Sequence, residues 1–211
     1  MTDLWRARWQ EGRIGFHLPQ PHSALTHYWP SLGVPDRAKV LVPLCGKTLD
    51  MRWLAETGHP VLGVELAPEA IEQFLAQSPT PVSRYQQAGF NISRQGCIEL
   101  WCGDFFHLHI QQASEIGAFY DRAALIALPE ATRQRYAFHL AQLTPPGAKG
   151  LLVSVARKGD ADGPPYSVSH QEIETLLSPN FRVSLLEEGE PDERGMTETV
   201  WQLVRRGPLE R

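Results

Sequence analysis

The stretch VLVPLCGKTLDMRWLAETGHPVLGVE, residues 40–65, restricts this chain more than any other. Val40, Leu41 and Val42 form the short apolar run of a strand buried on both faces. Leu44-Cys45-Gly46-Lys47 follows as a turn in which Gly46 lets the backbone come close to a ligand. Thr48 or Asp50 begins a helix carrying Met51, Trp53 and Leu54, and Gly58 ends it. Residues 60–64 make a second strand, closed by Glu65. The pattern is one βαβ unit with an acidic residue at the tip of its second strand.

A carboxylate in that position can accept hydrogen bonds from both hydroxyls of an adenosine ribose while the first turn faces the rest of the nucleotide. Glu65 stands 19 residues after Gly46, near the spacing of about 20 found in dinucleotide folds. There is no G-x-G-x-x-G, which weakens a nicotinamide or flavin reading, and where a phosphate loop ending in Gly46-Lys47-Thr48 needs its first glycine the chain has Leu41. An adenosine cofactor without phosphates fits best, and S-adenosylmethionine is the common one. The alternative is a Rossmann-like unit with a surface glutamate and no ligand.

A chain of 211 residues is most simply one domain, able to bury about 70% of its unfolded surface. A charged fraction of 21% is ordinary for a globular protein, and a formal charge of −4 gives no reason to expect nucleic acid or an anionic membrane as partner. Cys45, Cys97 and Cys102 are odd in number and sit in motifs that look buried, so a reducing cytoplasm is expected rather than a disulfide framework. No apolar run reaches the length of a membrane span, and MTDLWRARW lacks the pattern of a signal peptide. A cytoplasmic monomer is the expectation.

Before the βαβ unit, residues 1–36 read as a helical cover. Leu4, Trp5, Arg8 and Trp9 are at helical spacing behind Asp3, and a second helical pattern surrounds Leu25, Tyr28, Trp29 and Leu32. The tryptophans can simply dock on the core. Alternatively the segment folds over the carboxyl edge of the sheet, where Trp9 and Phe16 can wall off a cofactor and a flat substrate.

Residues 37–211 read as the Rossmann-like core. Pro68 opens a helix, residues 82–96 are polar and poorly periodic and read as a loop, and residues 98–101 form the third strand. Asp104 and Phe105, just beyond it, can meet an adenine through the carboxylate and the ring, or Asp104 can cap a helix. His107 and His109 lack a ligand quartet of recognised spacing, so no metal is expected. Residues 117–121 form the fourth strand, at whose end Arg122 can hold a carboxylate or a negatively charged substrate atom, or pair with Asp121 or Glu130. A helix after Pro129, a fifth strand at 150–156, a capping box at Ser169-His170-Gln171-Glu172 and a closing pair at 181–187 and 198–205 complete the order. This predicts an α/β fold: a seven-stranded, mainly parallel sheet with a C-terminal antiparallel hairpin and helices on both faces.

Several motifs in order resemble the thiopurine S-methyltransferase family, particularly its bacterial form, over nearly the whole chain: Trp5-x3-Trp9, Ile14-Gly15-Phe16-His17, Pro43-Leu44-Cys45-Gly46-Lys47, Gly63-Val64-Glu65, Asp121-Arg122-x-Ala124-Leu125 and Gly163-Pro164-Pro165-Tyr166. The resemblance implies a class I methyltransferase fold and S-adenosylmethionine as cofactor. It implies that Trp9, Leu44, Glu65 and Arg122 contact the cofactor, and that Asp104 and Phe105 match the pair at the adenine. It implies further that Phe16 lies over the methyl-transfer site, that Arg122 is near the substrate, and that residues 163–166 cover it.

The implied reaction is in-line displacement of the sulfonium methyl by a small-molecule aromatic or heterocyclic thiol. Such a thiol is partly ionised near neutral pH, so alignment in a site shielded from water is needed more than a strong base, and no catalytic residue is assigned. The alternatives are methylation of selenium or tellurium oxyanions or small thiols, a nicotinamide-dependent dehydrogenase, and a non-catalytic adenosine-binding module.

Overall fold

The computed structural model describes residues 2–13, 15, 17–157 and 163–207, with the side chains of residues 2–4 excepted. Among these, all the expected strands are present in a single sheet. They are β1 (Lys39–Pro43), β2 (Val61–Glu65), β5 (Ile98–Cys102), β6 (Ile116–Arg122), β7 (Lys149–Arg157), β8 (Phe181–Glu188) and β9 (Met196–Arg205). Two more precede β5, namely β3 (Val82–Gln87) and β4 (Phe90–Gln95), so the sheet is nine-stranded with order β3-β4-β5-β2-β1-β6-β7-β9-β8. The middle five strands are parallel, and antiparallel pairs close both sides.

The added hairpin replaces the loop expected at 82–96. Its turn is Ala88-Gly89 with φ of 50° and 84°, the paired left-handed geometry of a two-residue hairpin, which usually announces itself as Asn-Gly or Asp-Gly. β3 is an exposed edge strand beyond Val82, so it shows no alternation of apolar residues. It is fastened to the helix α4 (Pro68–Leu75) by a two-pronged contact of Arg84 with Glu72, at 2.6 and 2.9 Å.

The central strands alternate between two apolar layers. Leu41, Leu62, Phe119 and Leu152 face α5 (Glu130–Leu143) and α6 (His170–Leu177). Val40, Val42, Tyr120 and Leu151 face α2 (Ser23–Tyr28), α3 (Asp50–Glu56) and α4. Burial on both faces explains why these strands read as continuous apolar runs. Gly63 lets α3 settle on β2, because a Cβ there would stand 2.8 Å from Cys45 Sγ, 2.8 Å from Met51 Sδ and 2.9 Å from Leu100 Cδ2. Local signals behave as read: Pro68 begins α4, and Ser169 Oγ accepts from the Glu172 amide at 3.2 Å to cap α6.

The N-terminal helix α1 (Thr2–Gln10) and α2 precede β1. Asp50, 1% exposed, ties this segment to the sheet: its Oδ1 accepts from the His22 amide at 2.7 Å and its Oδ2 from the Tyr120 hydroxyl at 3.0 Å. Among the described residues no helix is long and apolar enough to cross a membrane.

Candidate active site

β1 has β2 on one side and β6 on the other, so the chain leaves it in opposite directions and opens a crevice at its carboxyl end. Ligands of open α/β sheets bind at such a switch point. A cavity of about 450 Å³ lies there, bounded by the ends of β1, β2, β5, β6 and β7, by α1, and by the start of β9.

Glu65 ends β2 with only 7% exposure, and its carboxylate is fixed before any ligand arrives. Oε2 accepts from the Gly46 amide and Oε1 from the Ala67 amide, each at 2.8 Å. Burial raises its pKa, opposed by the amides of Ala67, Gly46 and Leu66. Each oxygen retains a lone pair beyond the one its amide uses, so a rigid, double acceptor faces the cavity. The turn that supplies Gly46 holds Leu44 and Gly46 at φ of 48° and 53°. A Cβ on Gly46 would lie 3.1 Å from the Trp9 ring, so the absent side chain is what lets α1 approach. Trp9 is 4% exposed and packs with Ala67 and Ala70 while still bordering the cavity. Cys45 is buried in the same turn, and burial pushes its thiol pKa well up, as befits packing rather than nucleophilic attack. Cys97, by contrast, is exposed.

Asp104 and Phe105 both border the cavity after β5. Asp104 Oδ1 accepts from the Phe106 amide at 2.9 Å and so caps a short 3-10 turn, the second of the two roles open in the sequence; its placement leaves the first available too. The Phe105 ring is 3% exposed, with Tyr136 and His139 rings 5.5 and 5.1 Å away centre to centre. Its neighbour Phe106, not singled out in the sequence, is only partly buried and also borders the cavity.

Arg122 closes β6 at the opposite wall. Asp121 is not its counterion: that carboxylate is 1% exposed and accepts from the amides of Ala124 and Leu125 and from the Tyr136 hydroxyl at 2.6 Å. Ala123, next to Arg122, sits at φ 81°. With Leu44 it gives two non-glycine residues in the left-handed region on the same rim, the kind of local strain that gathers at binding sites.

The cover comes from both chain ends. Arg8 Nη1 donates to Pro164 O at 3.3 Å, bringing α1 against the 163–166 segment, which is anchored below by the Tyr166 amide bonded to Ile126 O at 2.7 Å. Phe16 lies outside the described residues, as do 158–162 of the preceding loop. His17 borders the cavity with its pKa lowered by burial, Lys47 and Arg122, hence neutral at pH 7.

Sequence reasoning did not single out Arg194, Met196 and Glu198, which form the wall opposite Glu65. Because β9 is antiparallel to β7, its beginning, not its end, reaches the carboxyl edge. An acidic residue opening the last strand was the available signal.

The thiopurine S-methyltransferase family profile matches residues 1–206. A thiopurine S-methyltransferase of Pseudomonas fluorescens is 42% identical over 207 residues, covering 98% of this chain and 91% of its own length. One of Azotobacter vinelandii is 43% identical, covering 97% and 92%. Among solved structures, the 1,6-didemethyltoxoflavin-N1-methyltransferase of Burkholderia thailandensis, with bound 1,6-didemethyltoxoflavin and S-adenosylhomocysteine, superposes with a TM-score of 0.66 at 16% identity, over 98% of this chain and 87% of that one. The magnesium protoporphyrin IX methyltransferase of Synechocystis, with bound S-adenosylhomocysteine, gives 0.67 at 15% identity over 97% and 100%. These structural likenesses speak to the fold.

Proposed function

Since the chain belongs to the thiopurine S-methyltransferase family, and is thereby an S-adenosylmethionine-dependent methyltransferase, we propose that it methylates the sulfur of small aromatic or heterocyclic thiols such as thiopurines. The observation that carries this reading is the cavity itself, with a fixed buried carboxylate at one wall and Arg122, Met196 and Glu198 across from it.

The residues present fit the cofactor. Glu65 is an acceptor pair suited to two vicinal ribose hydroxyls, held rigid by the Gly46 and Ala67 amides. Leu44 and Trp9 flank the same turn, and Asp104 with Phe105 would take the adenine end. Bound there, the cofactor supplies an activated methyl group and leaves as S-adenosylhomocysteine. The chain's own contribution is alignment and exclusion of water: Arg8 joined to Pro164 links α1 to the 163–166 segment at the edge of the cavity, and Arg122 favours negative charge on the acceptor sulfur. Phe16, from its matched motif, would lie over the acceptor. In the same reading the enzyme is a monomer of the cytoplasm, with neither nucleic acid nor membrane as partner.

Incubation with labelled S-adenosylmethionine and a mercaptopurine, beside selenite, tellurite and a small aliphatic thiol as competitors, tests the proposal by mass spectrometry of the products. Label in the heteroaromatic thioether is the expected result. Preferential methylation of selenium, tellurium or the aliphatic thiol would replace it with the rival acceptor class, and binding of S-adenosylhomocysteine without turnover of any acceptor would reduce the protein to a binding module.

A further inference from the structure

Glu198 is held more firmly than a surface carboxylate needs to be. It borders the main cavity and also a shallower cleft of about 370 Å³ formed by residues 18–23, so one side chain faces both the site and an outer opening. Its side chain is 51% exposed, with Oε2 3.3 Å from His22 Nε2. His22 Nδ1 accepts from the Ala24 amide at 3.2 Å, which leaves the proton of the neutral ring on Nε2, pointed at Glu198. The His22 amide in turn donates to Asp50, which the Tyr120 hydroxyl braces from behind. The chain Tyr120–Asp50–His22–Glu198 thus runs from the core of the sheet to the cavity wall.

A thiol on a ring carbon beside a ring nitrogen exists, when neutral, as a thione with its proton on that nitrogen. Methylation of this form at sulfur must dispose of the proton. We propose that Glu198 is the proton acceptor for neutral thione substrates, an inference that rests on the heteroaromatic-thiol reading above. The N–H bond breaks, with its proton passing to the Glu198 carboxylate and its electron pair becoming a ring C=N bond. The C=S π pair forms the new bond from sulfur to methyl, while the pair of the broken methyl–sulfonium bond stays on the departing thioether. The nitrogen proton becomes acidic as the sulfur gains its methyl group, so a carboxylate is base enough. The proton then leaves through the outer cleft.

Among the described residues, the charged and titratable groups acting on Glu198 are His22 from the segment before α2, Arg122 from β6 and Asp192 from the connection between β8 and β9. The hydrogen bond from His22, helped by the Arg122 guanidinium, holds its carboxyl below the usual range against the effect of burial, so it is ionised and able to accept near neutral pH. His22 is a positioning residue in this scheme.

The test compares parent enzyme, Glu198→Gln and Glu198→Asp on a mercaptopurine and on benzenethiol, which has no ring nitrogen, between about pH 6 and pH 9. In Glu198→Gln the ratio of kcat/KM for the mercaptopurine over benzenethiol should fall about tenfold or more at the acidic end. That ratio should recover as pH rises through the mercaptopurine's own pKa, because the anion has no proton to lose. Glu198→Asp should regain part of the loss, and S-adenosylhomocysteine binding by calorimetry should show each variant folded. An equal fall on both acceptors at every pH, or no fall, overturns the assignment. A parent enzyme that methylates neither thiol overturns the acceptor reading itself, and the assignment with it.

Discussion

Asp121→Asn isolates one buried charge. The carboxylate is 1% exposed; Oδ1 accepts from the Ala124 and Leu125 amides at 3.0 and 3.2 Å, and Oδ2 from the Tyr136 hydroxyl at 2.6 Å. Burial pushes its pKa from 3.8 up to about 6, with Tyr136 and the two amides resisting. A folded pKa above the unfolded one means that the folded state binds the proton more tightly. The group therefore adds stability below pH 3.8, and that stability is lost as pH rises through about 6. The shift corresponds to about 3 kcal/mol in full, of which about 2 kcal/mol falls between pH 4.5 and 7.5. Asparagine keeps an oxygen for the two amides and turns its NH2 to the Tyr136 oxygen, which can accept, so it has nothing to titrate. Urea unfolding of parent and variant at the two pH values should show the parent's advantage shrinking by about 2 kcal/mol as pH rises. A gap equal at both would refute the account of this residue as a carboxylate under strain from burial.

Two further substitutions probe the rim. Glu65→Gln must turn an NH2 toward the Gly46 or Ala67 amide, opposing two donors, and on the proposed reading would lose charge-assisted bonds to a ribose; S-adenosylhomocysteine affinity should fall by more than about 1 kcal/mol. Unchanged binding in a calorimeter would remove Glu65 from the ribose. Gly63→Ala drives a methyl to within 2.8–2.9 Å of Cys45, Met51 and Leu100, which should lower stability by about 1–3 kcal/mol; an unmoved urea midpoint would contradict the close seating of α3.

What could be read from sequence was what local chemistry encodes. The βαβ unit, the Pro68 start of α4 and the Ser169 cap each depend on residues a few positions apart, and each stands where it was read. The β3–β4 hairpin escaped notice because an exposed edge strand carries no apolar alternation and its Ala88-Gly89 turn lacks the usual asparagine or aspartate. Asp104 could not be assigned between two roles, because the residue that caps the turn also borders the cavity. The Arg8–Pro164 bond joins residues 156 apart. Glu198 enters only through the antiparallel direction of β9. Neither leaves a periodic trace.

The origin of the two walls has a consequence for how such a protein can change. Leu44, Glu65, Asp104 and Phe105 come from the middle of the chain, at or just beyond the ends of the adjacent parallel strands β1, β2 and β5. Met196 and Glu198 are likewise fixed in the sheet, through the β7–β9 ladder, whereas Arg8, His17 and Pro164 come from segments outside it, α1 being joined to the 163–166 segment by the Arg8 bond. New chemical tastes can thus be acquired by rewriting the segments outside the sheet, with the Glu65 side of the cavity left as it stands.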